Sequence, residues 1–92
     1  METLYDITGR EIKKGQILAV GVRSGNSGDL TIAIVKDIKE VDNEYVRNSK
    51  TTKIQVTSGR YLGNSNKTLI VPESVFVGTK QEKWIQEQFK KL

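Results

Sequence analysis

The chain has 92 residues, one proline, no cysteine and no histidine, and it carries a net charge of +4. That length holds one core and no second domain, residues 1–92 forming a single unit. The missing Cys and His exclude disulfides, Cys/His zinc sites and the Ser-His-Asp and Cys-His nucleophile systems.

Apolar residues make up 36 % and charged residues 28 % of the chain, enough apolarity to fold. No run approaches the roughly 18 apolar residues of a membrane span. The segment Met1-Glu2-Thr3-Leu4-Tyr5-Asp6 is acidic and mixed, unlike a basic leader followed by an apolar stretch. The composition therefore predicts a soluble, cytoplasmic, non-enzymatic protein with no cofactor and no membrane partner. Val and Ile supply 18 of the 33 apolar residues, and eight Thr add further β-branched side chains. Such side chains are stiff at χ1 and fit a pleated surface better than a helix, so the body is expected to be sheet.

In chain order, Tyr5 to Ile12 reads as a turn around Gly9 with Ile7 and Ile12 pointing inward. Lys13-Lys14-Gly15 is a second turn. Ile17 to Val22 is a short apolar run suited to a buried strand. Arg23 to Asp29 is a polar, Gly-rich loop. Thr31 to Glu40 is the clearest strand: Ile32, Ile34 and Ile38 share one parity, with Lys36 interrupting, and Ala33, Val35 and Asp37 share the other. Asp42-Asn43 suits a tight turn, and Glu44 to Arg47 is short and strand-like. Lys53 to Thr57 alternates as a half-exposed strand does. Ser58-Gly59 and Gly63 to Asn66 carry turn residues. Thr68 to Val71 is another strand, stopped by Pro72, which has no ladder donor. Val75-Phe76-Val77 closes the sheet.

The period then changes. Thr79-Lys80-Gln81-Glu82 has capping-box form. Trp84, Ile85, Gln88, Phe89 and Leu92 fall on one face of an amphipathic helix over 80–91. Its aromatic residues are expected to seal an open end of the sheet, or alternatively to meet a second copy of the protein. Five to six short strands followed by one helix fit a small antiparallel barrel over 4–78, which also leaves no strand edges.

The pattern Asp6-x-x-Gly9-x-x-Ile12-x-x-Gly15-x-x-Leu18-Ala19-Val20 resembles the opening of small SH3-like barrels, among them uncharacterised proteins of bacteriophages and prophages. Pro72-Glu73-Ser74-Val75-Phe76-Val77 is similar to the short helical turn and last strand of that fold. The resemblance covers most of residues 4–77. It implies an SH3-like barrel with an added C-terminal helix, serving as a binding module in a phage setting and hence in a host cell's cytoplasm. It supplies no catalytic residue.

The charge is unevenly spread. Residues 1–46 carry six basic and eight acidic side chains, and residues 47–92 carry nine and three. No acid lies between Glu44 and Glu73, while Arg47, Lys50, Lys53, Arg60 and Lys67 all do. Lys and Arg attract phosphates whatever the sequence. Tyr61 offers a stacking face, and Asn64 and Asn66 offer hydrogen bonds. This segment, 45–72, is a candidate site for an anionic ligand, either nucleic acid or a nucleotide. The same lysines would equally serve to keep a small β protein soluble and its edges unpaired. A second functional reading is a protein-interaction module, such as a phage inhibitor of a host protein, or a homo-oligomer.

Other constellations are weaker. Gly25-x-x-Gly28 matches the loop of a KH domain but joins two strands here, as a plain connection does. The carboxylates of Asp29, Asp37, Glu40, Asp42 and Glu44 read as a solvated acidic face, since no like-charge pairing or burial is indicated that would tune them for proton transfer.

Overall fold

The computed structural model describes residues 2–24, 27–43, 45–63 and 65–92, with backbone only at 22–24, 27–30 and 66. The β-branched stretches form five strands: β1 (Ile17–Ser24), β2 (Ser27–Asp42), β3 (Lys50–Val56), β4 (Tyr61–Leu62) and β5 (Thr68–Val71). All pair antiparallel in one open sheet of order β4-β3-β2-β1-β5. One helix, α1 (Glu82–Phe89), follows. No helix among the described residues is long and apolar enough to cross a membrane.

Strand β2 organises the molecule. Its first half pairs with β1, from Ser27 opposite Ser24 to Ile34 opposite Ile17. Its second half pairs with β3, from Val35 opposite Val56 to Asp42 opposite Lys50. The register shifts between Val35 and Asp37, so Lys36 is the extra residue of a β-bulge. A bulge bends a strand and moves later side chains to the other face. This accounts for the interrupted parity in the sequence. Ile32 and Ile34 lie on one face, while Val35 and Ile38 both join the cluster on the other.

Two apolar clusters result. Ile12, Leu18, Val20, Val35, Ile54 and Val56 pack together on the inner face, with Leu62 and Ile70 against them. Ile17, Ile34 and Ile85 form the second cluster, with Ile32, Phe76 and Phe89. Alternation along β1 sends Leu18 inward and Ile17 outward, so this half of the sheet is covered by the β3–β4 half on one side and by α1 on the other.

The free edge of β5 is closed by the turn before β1. The Ile7 N–H donates to the Thr68 carbonyl (2.8 Å). The Ile70 N–H donates to Asp6 Oδ2 (3.0 Å), and Arg10 Nη2 donates to the Ile70 carbonyl (2.7 Å). Two side chains thus stand in for a neighbouring strand, which blocks pairing with a foreign chain. Asp6 also accepts from the Thr8 N–H and hydroxyl (2.9 and 2.7 Å) and from the Arg10 N–H (2.9 Å). Burial pushes its carboxyl up, but the bonds from Ile70, Thr8 and Arg10 outweigh this and hold it well below the usual carboxylate range.

Several sequence expectations change. Ile7 is 68 % exposed, because the buried place in its turn goes to Asp6. Within 23–29 the strands run on to Ser24 and from Ser27, so Gly28 pairs with Arg23 in a two-stranded ribbon; Gly25 and Asn26 lie outside the described residues. Residues 45–47 are turn rather than strand, since Asn43 Oδ1 accepts the N–H groups of Tyr45 and Val46 (2.9 and 3.3 Å). Val75 and Val77 are exposed and outside the sheet, because Pro72 leads into a 3-10 turn, Glu73–Phe76. The sheet ends instead with β5.

Helix α1 buries Ile85 and Gln88, and the Thr57 hydroxyl donates to Gln88 Oε1 (2.6 Å). The cap differs from a simple box. Thr79 Oγ1 accepts from the Gln81 N–H (3.3 Å), while the Glu82 carboxylate accepts from Gly78 (2.9 Å) rather than from Thr79. Trp84 stays 37 % exposed and Leu92 44 % exposed. Trp84 sits about 100° round the helix from Ile85, at the margin of the buried face.

Candidate ligand-binding face

Strand parity builds a solvent face on the β2–β3–β4 half. On β3, Thr52, Ile54 and Val56 are buried, so Thr51, Lys53 and Gln55 point the other way. Their cross-strand partners share that face: Val41 with Thr51, Lys39 with Lys53, and Asp37 and Tyr61 on either side of Gln55. Gln55 Oε1 is buried there without a hydrogen-bond partner.

Along this face runs an open groove of about 580 Å³, lined by Asn43, Tyr45, Thr51, Lys53 and Tyr61 among others, with Asp42 at one end. Asn43 shapes its wall. The side-chain amide donates to Thr51 Oγ1 (3.2 Å), and its oxygen holds the backbone of Tyr45. The Asn43 N–H donates to the Ser49 carbonyl (2.9 Å), closing the loop, and Asn48 takes the left-handed conformation that the return requires (φ 61°). Tyr45 is 93 % exposed and Tyr61 44 % exposed, so both rings are open to a ligand.

Of the residues singled out in the sequence, Lys53 and Tyr61 meet in this groove. Arg47 is exposed in the loop beside it. Lys50 begins β3 opposite Asp42, with the parity of the buried side chains, though it is itself exposed. Arg60 lies in the β3–β4 turn and lines a different hollow, beside Trp84. Lys67 ends the 3-10 turn Ser65–Lys67 and is exposed. Asn64 lies outside the described residues, as does the side chain of Asn66.

Sequence reasoning left out Lys39 and Asn43; Tyr45 and Thr51 fall within the segment 45–72 but not among the residues singled out as contacts. Lys39 was discoverable: it sits in the best-defined strand, and an antiparallel partner brings it opposite Lys53. Among the described residues no group of three or more Asp and Glu is placed to hold a metal ion. No family model matches the chain, and neither a curated protein nor a solved structure is significantly similar to it.

Proposed function

We propose that this protein is a non-enzymatic binding module that takes a single-stranded nucleic acid or a nucleotide across the β2–β3–β4 face. The convergence of Tyr45, Tyr61 and Lys53 on one open groove, with Lys39 opposite Lys53, carries this reading. Base stacking on an exposed tyrosine contributes roughly 1–3 kcal/mol and suits any base. The two lysines lie side by side on the sheet and suit phosphate oxygens. Arg47, in the loop beside the groove, extends the cationic surface.

The fold that accompanies this reading is the SH3-like barrel. Its support is the bend of β2 at Lys36, which lets the two halves of the sheet share one inner cluster. With the phage resemblance, the module acts on host or phage nucleic acid inside an infected cell.

Titration of fluorescein-labelled oligothymidylate and a nucleotide panel at about 25 and about 200 mM salt tests the proposal. Two neutralised phosphates give a slope of about −1.4 in log K against log salt. Tyr61→Ala is expected to weaken binding by about 5- to 100-fold, and Lys53→Glu to flatten the salt slope. Absence of binding at the lower salt overturns the proposal.

A further inference from the structure

Strand β2 has a second edge, and part of it is uncovered. The Val35 N–H donates to the Gln16 carbonyl, and the Thr57 N–H donates to the Ile34 carbonyl (3.1 Å), so Ile34 turns its backbone groups toward β3. Alternation along the strand turns those of Ile32 the same way. Strand β3 pairs with β2 only from Val35 onward, so among the described residues no strand lies beside Ile32 on that side. The edge of β5 is blocked by Asp6 and Arg10. Thr31-Ile32-Ala33 carries no proline, lysine or bulge that would blunt its edge in the same way.

Two hollows, of about 220 and about 310 Å³, flank this edge, and both are bounded by Thr31, Ile32 and Trp84. The first has an apolar floor of Val20, Val56 and Leu62, with Arg60 in its wall. No acidic side chain lines either hollow, and Arg60 makes no ion pair among the described residues. Backbone donors and acceptors, an apolar floor and one unneutralised cation are thus set side by side.

We propose that this edge takes an extended segment of a partner protein, added as a strand beside Thr31–Ala33. An apolar side chain of the segment fills the first hollow, and a neighbouring carboxylate pairs with Arg60. Main-chain hydrogen bonds supply affinity in this mode, and the pockets for side chains supply choice. The positive charge of Arg60 selects an acidic segment over a basic one. The site is separate from the tyrosine-lined groove and does not depend on it.

The test uses the full chain and two peptides, acetyl-Thr-Ile-Thr-Leu-Glu-amide and the same sequence ending in Lys. Binding is read from the emission of Trp84, the chain's one tryptophan, and from the backbone amide signals of Thr31 to Ala33. The Glu peptide is expected to shift the emission to the blue, to move those amide signals, and to bind about tenfold more tightly than the Lys peptide. Arg60→Glu, a change in an exposed turn, reverses the preference between the two. Ile32→Pro removes the outward N–H, which an edge strand tolerates, and weakens both peptides. No emission shift with either peptide, or equal affinity for both, overturns the proposal. A concentration-dependent dimer in light scattering, abolished by Ile32→Pro, overturns it in favour of a second copy of this chain at the same edge.

Discussion

Asp6→Ala is expected to lower the melting temperature by about 10 °C at pH 7, a large effect for a residue in a turn. The carboxylate accepts from Thr8, Arg10 and Ile70, and Ile70 lies 64 residues further along the chain. Truncation leaves the N–H groups of Thr8, Arg10 and Ile70 without their acceptor and uncovers the edge of β5. The pH dependence follows from the depressed carboxyl. Above about pH 5 the group is ionised in both folded and unfolded chains, and its contribution is fully present. As the pH falls below about 5, the unfolded chain takes up a proton that the folded chain refuses, and stability declines toward the lower folded value. Melting curves at pH 7 and pH 3 check both points. The gap between wild type and variant is expected to narrow at pH 3. A variant that melts within about 2 °C of wild type at pH 7 would show that other contacts hold β5.

Ile85→Ala is expected to cost about 3 kcal/mol, a fall in melting temperature of about 12–20 °C. Ile85 is fully buried against Ile17 and Ile34, and of the rest of α1 only Gln88 is buried, less completely. Eight residues are too few for a helix that stands by itself, so α1 depends on its packing, with Ile85 as the main apolar anchor beside Phe89 and the Thr57–Gln88 bond. Loss of helical circular dichroism and a red shift of Trp84 emission are expected to precede the loss of strand signal on heating. Leu92→Ala, at an exposed position, is the control and should fall within about 0.5 kcal/mol of wild type. If sheet and helix signals are lost together in Ile85→Ala, the two clusters unfold as one unit.

Most strands and one irregularity were legible in the sequence. The apolar runs at 17–22, 31–40 and 68–71 lie in strands, and 53–57 does up to Val56 with Thr57 entering the turn, because β-branched residues in alternation have few other ways to bury. The break in parity at Lys36 is the bulge itself. What stayed hidden depends on neighbours distant in sequence. Asp6 stands out in the sequence only as the start of a turn pattern, and only the approach of β5 makes it a buried acceptor. Tyr45 and Val46 have strand-forming side chains, yet the Asn43 side chain captures their N–H groups and turns the chain.

The candidate site was half legible for the same reason. The acid-free segment is real as a stretch of chain, but it crosses three strands, β3, β4 and β5, and the turns between them. Lys53 and Tyr61 emerge on one face, while Arg60 is carried round the turn to the Trp84 side. A run of charge in sequence becomes a patch only where parity permits. The cation that completes the pair, Lys39, came from a segment the charge map counted as acidic.

The long β2 strand also orders the folding reaction. Its pairings with β1 and with β3 are both between consecutive strands, so two hairpins can close early with little loss of chain entropy. Strand β5 is different, since Val71 must find Ile17 and Ile70 must find Asp6 across most of the chain. These contacts are therefore expected to form after the rate-limiting barrier. Asp6→Ala is then expected to speed unfolding while leaving the refolding rate nearly unchanged, which stopped-flow measurement over a denaturant series will read directly. On this expectation the tie between the first turn and β5 forms late in folding and opens early in unfolding.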